Sequence, residues 1–218
     1  MPLDRLVIVI AVLLNAALLS LPMLVFPFDV RFLQKPATVG FYLMVSVFVA
    51  VEIIASTKAH QSQEQALCHA WLPYVTGMAL LVFFWIDLLG YRQINVEWAW
   101  WHLIGAPVLL AGIGLRVLAI QTLNKHFVSH IALRHDHRLI QHGLYRWLRH
   151  PSELGLILVC AGILLWQSVP EALCFMLLVI LPLSIFRIYR EDAVLAERFP
   201  VQFEDYRQRT AALLPGLF

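Results

Sequence analysis

Residues 149–155 read RHPSELG and run directly into LILVCAGILLW (156–166). Four polar side chains, Arg149, His150, Ser152 and Glu153, stand at the mouth of a segment with the composition of a lipid-embedded helix. Local chemistry accounts for part of this. Pro151 suits the first helical position, where its missing N–H costs nothing, and Glu153 then falls in the first turn, where a carboxylate favours the positive end of the helix dipole. Arg149 can pair with a lipid phosphate. Taken alone, these residues fit a helix start and an active site equally well.

Working outward, the rest of the chain repeats the apolar pattern. Hydrophobic residues make up 61% of the 218 and charged residues 14%, against about 45–50% and about 25% in soluble domains. Apolar runs occur at 6–26, 37–51, 70–86, 98–115, 154–170 and 172–186. A helix needs about 17–25 residues to cross a bilayer; the first run reaches that length unaided and the others do so with flanking aromatic, small or polar residues. The expectation is an all-α integral membrane protein of about six transmembrane helices, the last two forming a tight hairpin whose turn is centred on Glu171. The first run is read as a span rather than a signal peptide, because it lacks a small-residue cleavage site and exceeds the roughly 7–15 apolar residues of such a core.

Charge placement orients this arrangement. Lys125, Arg134, Arg138, Arg146 and Arg149 face a single acid, Asp136, between 125 and 150, which puts that connection on the cytoplasmic side. Arg31 and Lys35 fall in an outer loop and pull the other way. Beyond Gln121 the polar residues gather in the loop 122–150 and the tail 187–218. In the tail, Ile188, Leu195, Phe199, Phe203 and Tyr206 recur at helical intervals, as in an amphipathic helix lying on the membrane or over the loop. Pro200 kinks that helix or begins a second one. Its basic and acidic residues cancel, so it is no polybasic lipid anchor. Residues 1–121 therefore read as four N-terminal transmembrane helices. Residues 122–218 read as a catalytic region of cytoplasmic loop, hairpin (153–188) and tail.

Ionisable residues inside membrane helices are functional candidates by default. Glu52, Asp87 and Arg116 lie within a turn or two of a helix end, so snorkelling is expected for Arg116 and solvation at the helix end for Glu52 and Asp87. His126, His130, His135, His137, His142 and His150 crowd one stretch, but with no HExxH, paired-cysteine or carboxylate motif beside them the expected metal site is none. Cys68, Cys160 and Cys174 are too scattered for a disulfide framework. A phosphate loop, a dinucleotide fingerprint and a nucleophile elbow are all missing from the sequence. No nucleic-acid partner is expected, and nothing in the spans demands a dimer.

The polar clusters 143–155 and 187–215 flank one hairpin, so they must meet on the same membrane face. An arginine, a histidine, a helix N-terminus and an acidic pair then converge on a pocket that a lipophilic molecule can enter from the side. This arrangement resembles the isoprenylcysteine carboxyl methyltransferase family and its phospholipid methyltransferase relatives. The family's first signature, G-x-Y-x-x-x-R-H-P-x-Y-x-G, is met by Gly143, Tyr145, Arg149, His150, Pro151 and Gly155; its second by Glu191, Asp192, Leu195, Phe199, Phe203, Tyr206 and Pro215. HFVSHIAL (126–133) is similar to the family's segment after its preceding span. The resemblance covers residues 122 to 215. Glu153 stands where the family has tyrosine, Asp192 where it has a second glutamate, and Pro200 where it has glycine.

The resemblance implies S-adenosylmethionine as methyl donor, held by Tyr145, His150 and Pro151, by the backbone around His142, Gly143 and Leu144, and by Glu191 from the other side. It implies catalytic roles for Arg149, Glu153 and Glu191, with Arg149 orienting an anionic acceptor or securing the donor's carboxylate. The acceptor would be a lipophilic small molecule or lipid, such as an isoprenylcysteine-type carboxylate, reached from surrounding membrane lipids. A carboxylate acceptor needs little beyond positioning and a dry site; an amine or thiol needs a base, for which Glu153 and His150 are the candidates. The membrane would be the inner membrane of a bacterium or the endoplasmic reticulum of a eukaryote. Two other readings are an NADPH-dependent reductase of the sterol-reductase type and a non-enzymatic transporter or scaffold. The second predicts polar residues spread towards the midplane, whereas here they gather at one surface.

Overall fold

The computed structural model describes residues 42–52, 72–93, 100, 102–123 and 139–214. The run 6–26, the loop histidines from His126 to His137, Cys68 and Pro215 lie outside the described residues, and with them the count of six spans. Among the described residues the architecture is entirely helical: α1 (Tyr42–Glu52), α2 (Leu72–Gln93), α3 (His102–Leu123), a short 3-10 turn (Gly143–Arg146), α4 (Pro151–Gln167), α5 (Pro170–Arg198) and α6 (Pro200–Arg209). Leu103–Leu123 of α3 and all of α5 are long and apolar enough to cross a membrane; α1, α2 and α4 contribute shorter apolar stretches.

The dominant contact is between α3 and α4, which run antiparallel. Glycines at seven-residue intervals make the seam. A Cβ on Gly105 would come within 2.6 Å of the Trp166 backbone nitrogen, and one on Gly112 within 2.6 Å of that of Val159; Gly162 and Gly155 meet Leu109 and Arg116 from the facing side. Backbone contact at this distance admits no side chain, which is how small residues let membrane helices pack without a hydrophobic driving force between them. Around the seam, Phe48, Phe83, Phe84, Leu109, Leu156, Val159, Ile163, Met176 and Ile180 form one apolar cluster drawing on five helices. The Phe48 and Phe84 rings meet edge-on at 6.4 Å and tie α1 to α2.

The outward faces are apolar as well. Leu43, Val47, Met78, Leu103, Leu110, Leu118, Leu173, Leu177 and Leu178 are all exposed, a surface far more suited to lipid than to water.

The turn between α4 and α5 lies ahead of Glu171 rather than around it. Ser168 closes α4 in a left-handed conformation (φ 58°) and α5 opens at Pro170, so the turn sits at Ser168–Val169 and Glu171 already lies in the first helical turn. Polar residues from Arg187 onwards do not end the helix: α5 continues from Pro170 to Arg198 as one rod of about 43 Å, longer than the roughly 30 Å of a bilayer core. Pro182 sits within it, just past a π-turn at Met176–Ile180 in which the Leu181 N–H donates to Met176 O. The widened turn gives the proline ring the room it otherwise lacks against the preceding turn. α5 ends at Phe199, and Pro200 starts α6 at its first position. The second of the two outcomes expected at Pro200 is the one found.

Candidate functional site

The site forms where α4 begins, because three chain segments meet there. The 3-10 turn opens at His142, whose backbone is extended, and Gly143 follows at φ +62°. A side chain on Gly143 would be strained by that conformation and would press on Thr122 at 3.2 Å; glycine lets the loop close against the end of α3. The chain after α6 then lies parallel to residues 147–150. The Arg149 N–H donates to Ala211 O (2.8 Å), the His150 N–H to Ala212 O (3.0 Å), and the Ala211 N–H to Trp147 O (3.2 Å). Tyr206 adds a buried hydrogen bond, donating to Tyr145 O at 2.7 Å.

His150 is the centre of this junction. Its ring is buried, with Nε2 2.7 Å from Asp192 Oδ1 and Nδ1 3.7 Å from Glu191 Oε2. Consecutive helical residues point about 100° apart, so the acidic pair on α5 can reach opposite edges of one imidazole. Burial alone would lower the pKa of His150. The Asp192 hydrogen bond and the charges of Glu191, Asp192 and Glu153 outweigh it and hold the imidazolium above its ordinary range. Nε2 hydrogen-bonds the Asp192 carboxylate, while Nδ1 faces Glu191 at ion-pair rather than hydrogen-bond distance. Burial and nearby carboxylates likewise push the Tyr145 and Tyr206 phenols up, so both stay neutral hydrogen-bonding groups.

Arg149 points into the tail. Its Nη1 donates to the carbonyls of Thr210 and Arg207, and its Nε lies 3.6 Å from Asp192 Oδ2. It therefore holds the last carbonyls of α6, a cation at the negative end of a helix. Pro151 is buried at the first position of α4, Leu144 is half-buried in the turn, and the Glu191 side chain is 41% exposed, open enough to meet a ligand.

Glu153 lies in the first turn of α4, as expected of a carboxylate at a helix start. It is buried, with Oε1 3.3 Å from Arg187 Nε and 4.0 Å from Arg116 Nη1. Arg116 does not snorkel. Its side chain is 6% exposed and paired through Nε and Nη2 with the Glu52 carboxylate, and Nη1 donates to Ser152 O and Oγ at 2.8 and 2.9 Å. Glu52 is thereby a partner in an ion pair rather than a residue solvated at a helix end. Asp87 also departs from expectation: it is fully buried in α2, six residues short of the helix end at Gln93.

The structure thus brings Tyr145, Arg149, His150, Glu153 and Glu191 together around the start of α4, with His142 and Gly143 on its rim. Asp192, Arg187, Ser152, Arg116 and Glu52 join them without having been singled out as site residues. One signal for the last two was available: opposite charges placed in two apolar helices have each other as the least costly partner.

The described residues are helical and carry a polar centre where a loop, a hairpin and a tail meet. Residues 103–197 match the model of the isoprenylcysteine carboxyl methyltransferase (ICMT) family, which bears out the resemblance drawn from the two signatures. Among relatives, the chain is 29% identical over 175 residues to a protein-S-isoprenylcysteine O-methyltransferase of Tribolium castaneum, covering 78% of this chain and 60% of that one. It is 25% identical over 187 residues to protein-S-isoprenylcysteine O-methyltransferase B of Arabidopsis thaliana, covering 81% and 94%. The chain spans about 60% of the length of the first relatives it matches. A solved structure of the eukaryotic intramembrane Ras methyltransferase, an isoprenylcysteine carboxyl methyltransferase, superposes with a TM-score of 0.52 at 23% identity over 80% of this chain and 67% of that one. At that identity the likeness is one of fold.

Proposed function

We propose that this chain is an integral-membrane methyltransferase that moves a methyl group from S-adenosylmethionine to a lipophilic acceptor, with residues 122–218 as its catalytic region. The observation that carries the reading is the contact of His150 with Asp192 and Glu191, which joins the two signature segments across the hairpin at 2.7 and 3.7 Å. The family match and the similarly named relatives support it.

The residues present fit the donor. S-adenosylmethionine supplies an activated methyl group on a cationic sulfonium, and it carries an ammonium and a carboxylate. Glu191, half open beside His150, suits the ammonium, and the acid-rich centre suits a cation. The Tyr145 N–H donates to His142 O, while Gly143 and Leu144, at the start of the short helix, offer N–H groups that have no partner within it. His150 and Pro151 fix where that turn meets α4. Arg149 fastens the tail that closes the centre, and so acts on the donor through position. The guanidinium groups of Arg116, Arg149 and Arg187 are engaged by carboxylates or carbonyls, an arrangement less suited to the 2′-phosphate of NADPH.

The excess of basic residues between 125 and 149 supports a site that faces the cytoplasm. Apolar outward faces support an acceptor that reaches the protein from the lipid phase. The test is transfer from methyl-labelled donor to the lipid extract of the host membrane. Label is expected in the apolar fraction, reduced at least about a hundredfold by Glu191→Ala. Label absent from that fraction, or unchanged in the variant, contradicts the reading.

A further inference from the structure

Arg149 leads the chain into α4, yet it does not meet lipid: its side chain is 9% exposed and is taken up by the tail. The exposed cation of this turn is Arg146. Its guanidinium lies 5.4 Å from the centroid of the Trp147 ring, and Trp147 is itself 68% exposed. Two further exposed arginines, Arg207 and Arg209, close α6. The chain that follows them is fixed beside Trp147, because the Ala211 N–H donates to Trp147 O. Among the described residues, Arg146, Arg207 and Arg209 form no ion pair. The acids one turn earlier on α6 are met otherwise: Gln208 donates to the Glu204 carboxylate, and Arg209 Nε donates to the main-chain oxygen of Asp205.

The depth of these residues follows from α5. Its apolar part, 170–186, rises about 25 Å against roughly 30 Å of a bilayer core. Asp192 therefore stands beyond that part, among headgroups. Arg149 Nε is 3.6 Å from Asp192 Oδ2, which brings the 146–149 turn to the same level. Tryptophan collects at this level because its ring suits the boundary between acyl chains and headgroups. A guanidinium there meets phosphate oxygens with paired donors.

We propose that Arg146, Trp147, Arg207 and Arg209 form a rim that seats the loop–tail junction on anionic phospholipid headgroups. Trp147 enters the interface while the three guanidiniums take phosphate oxygens. Loop and tail each carry part of the rim, so one lipid surface holds both segments and supports the ladder between them. The rim lies apart from the His150 centre and does not depend on the methyltransferase reading.

The test places the full chain in phosphatidylcholine vesicles containing increasing amounts of brominated phosphatidylglycerol or brominated phosphatidylcholine, which quench nearby tryptophan. The Trp147 signal is the difference between the wild type and Trp147→Phe. Half of that signal should be quenched at a mole fraction of brominated phosphatidylglycerol at least about fivefold below that of brominated phosphatidylcholine, the weight of one arginine at an anionic surface. Replacing Arg146, Arg207 and Arg209 together by glutamine should abolish the preference. These side chains are exposed and the junction uses only the main chain of Arg207, so the variant should keep the wild-type unfolding midpoint. Quenching by neither lipid puts Trp147 outside the interface and overturns the proposal. So does equal quenching by both; if a polyglutamate peptide then shifts the Trp147 emission, the rim serves an acidic protein instead. A preference undiminished in the glutamine variant overturns it as well.

Discussion

The α3–α4 seam and the loop–tail junction adjoin at the start of α4, at Gly155 and His150, yet they hold by opposite means. The seam is backbone against backbone, with glycines where a methyl group would collide at 2.4–2.9 Å. The junction is held by polar contacts: His150 to the acidic pair, Arg149 to the α6 carbonyls, Tyr206 to Tyr145, and a short ladder through Ala211 and Ala212. Close packing is stiff and intolerant of added volume. Polar contacts can be exchanged with a ligand and tuned by protonation. The fixed part thus sits in the apolar interior and the adjustable part at its edge, where a charged small molecule must come and go.

The comparison breaks most visibly at the seam. Gly112→Ile should cost on the order of 3 kcal/mol or more, because the new side chain meets the Val159 backbone; thermal unfolding in detergent measures this, and the seam account fails if the midpoint is unmoved. Next comes the ion pair bridging the regions. Arg116→Met strands Glu52 and should destabilise by about 3 kcal/mol, with most of the loss recovered in the double variant Arg116→Met, Glu52→Gln. Simple additivity would mean that the two residues are not coupled.

The junction should respond more gently and to pH. The pKa of His150 is raised in the folded protein, so its contribution is fully present below the unfolded value of about 6.5 and is lost as pH rises through the folded value. Hydrogen exchange of residues 199–214, corrected for its intrinsic pH dependence, should therefore quicken as pH rises through that raised value, while the α3–α4 seam stays protected. In His150→Gln that pH dependence should disappear. Tyr206→Phe removes one buried donor and should cost about 1 kcal/mol, read as a small fall in unfolding midpoint with the seam again unaffected.

What was legible in the sequence follows the same division. The start of α4 at Pro151, the restart at Pro200, and the meeting of the two polar clusters were readable because prolines and the hairpin constrain the backbone directly. Arg116 and Glu52 were misjudged because distance to a helix end says how far a side chain could reach towards water, not whether a partner lies nearer; Asp87 is buried with no hydrogen-bond partner among the described residues. Arg116 had such a partner in Glu52, one helix away in space and 64 residues away in sequence. The continuity of α5 past Arg187 was missed for a related reason: a change from apolar to polar side chains marks where lipid gives way to water, while the backbone continues as a helix. Glycines at 105, 112, 155 and 162 carry no seam signal until it is known which helices pair.

The central claim is that the His150 junction is a binding site for the methyl donor and not only a fastening for the tail. Its most direct test is calorimetric titration of the detergent-purified protein with S-adenosylhomocysteine, alongside a His150→Ala variant and an NADPH control. The account predicts saturable binding to the wild type, loss of that binding in the variant, and no binding of NADPH. Binding of NADPH in place of S-adenosylhomocysteine, or of neither by well-folded protein, would contradict it.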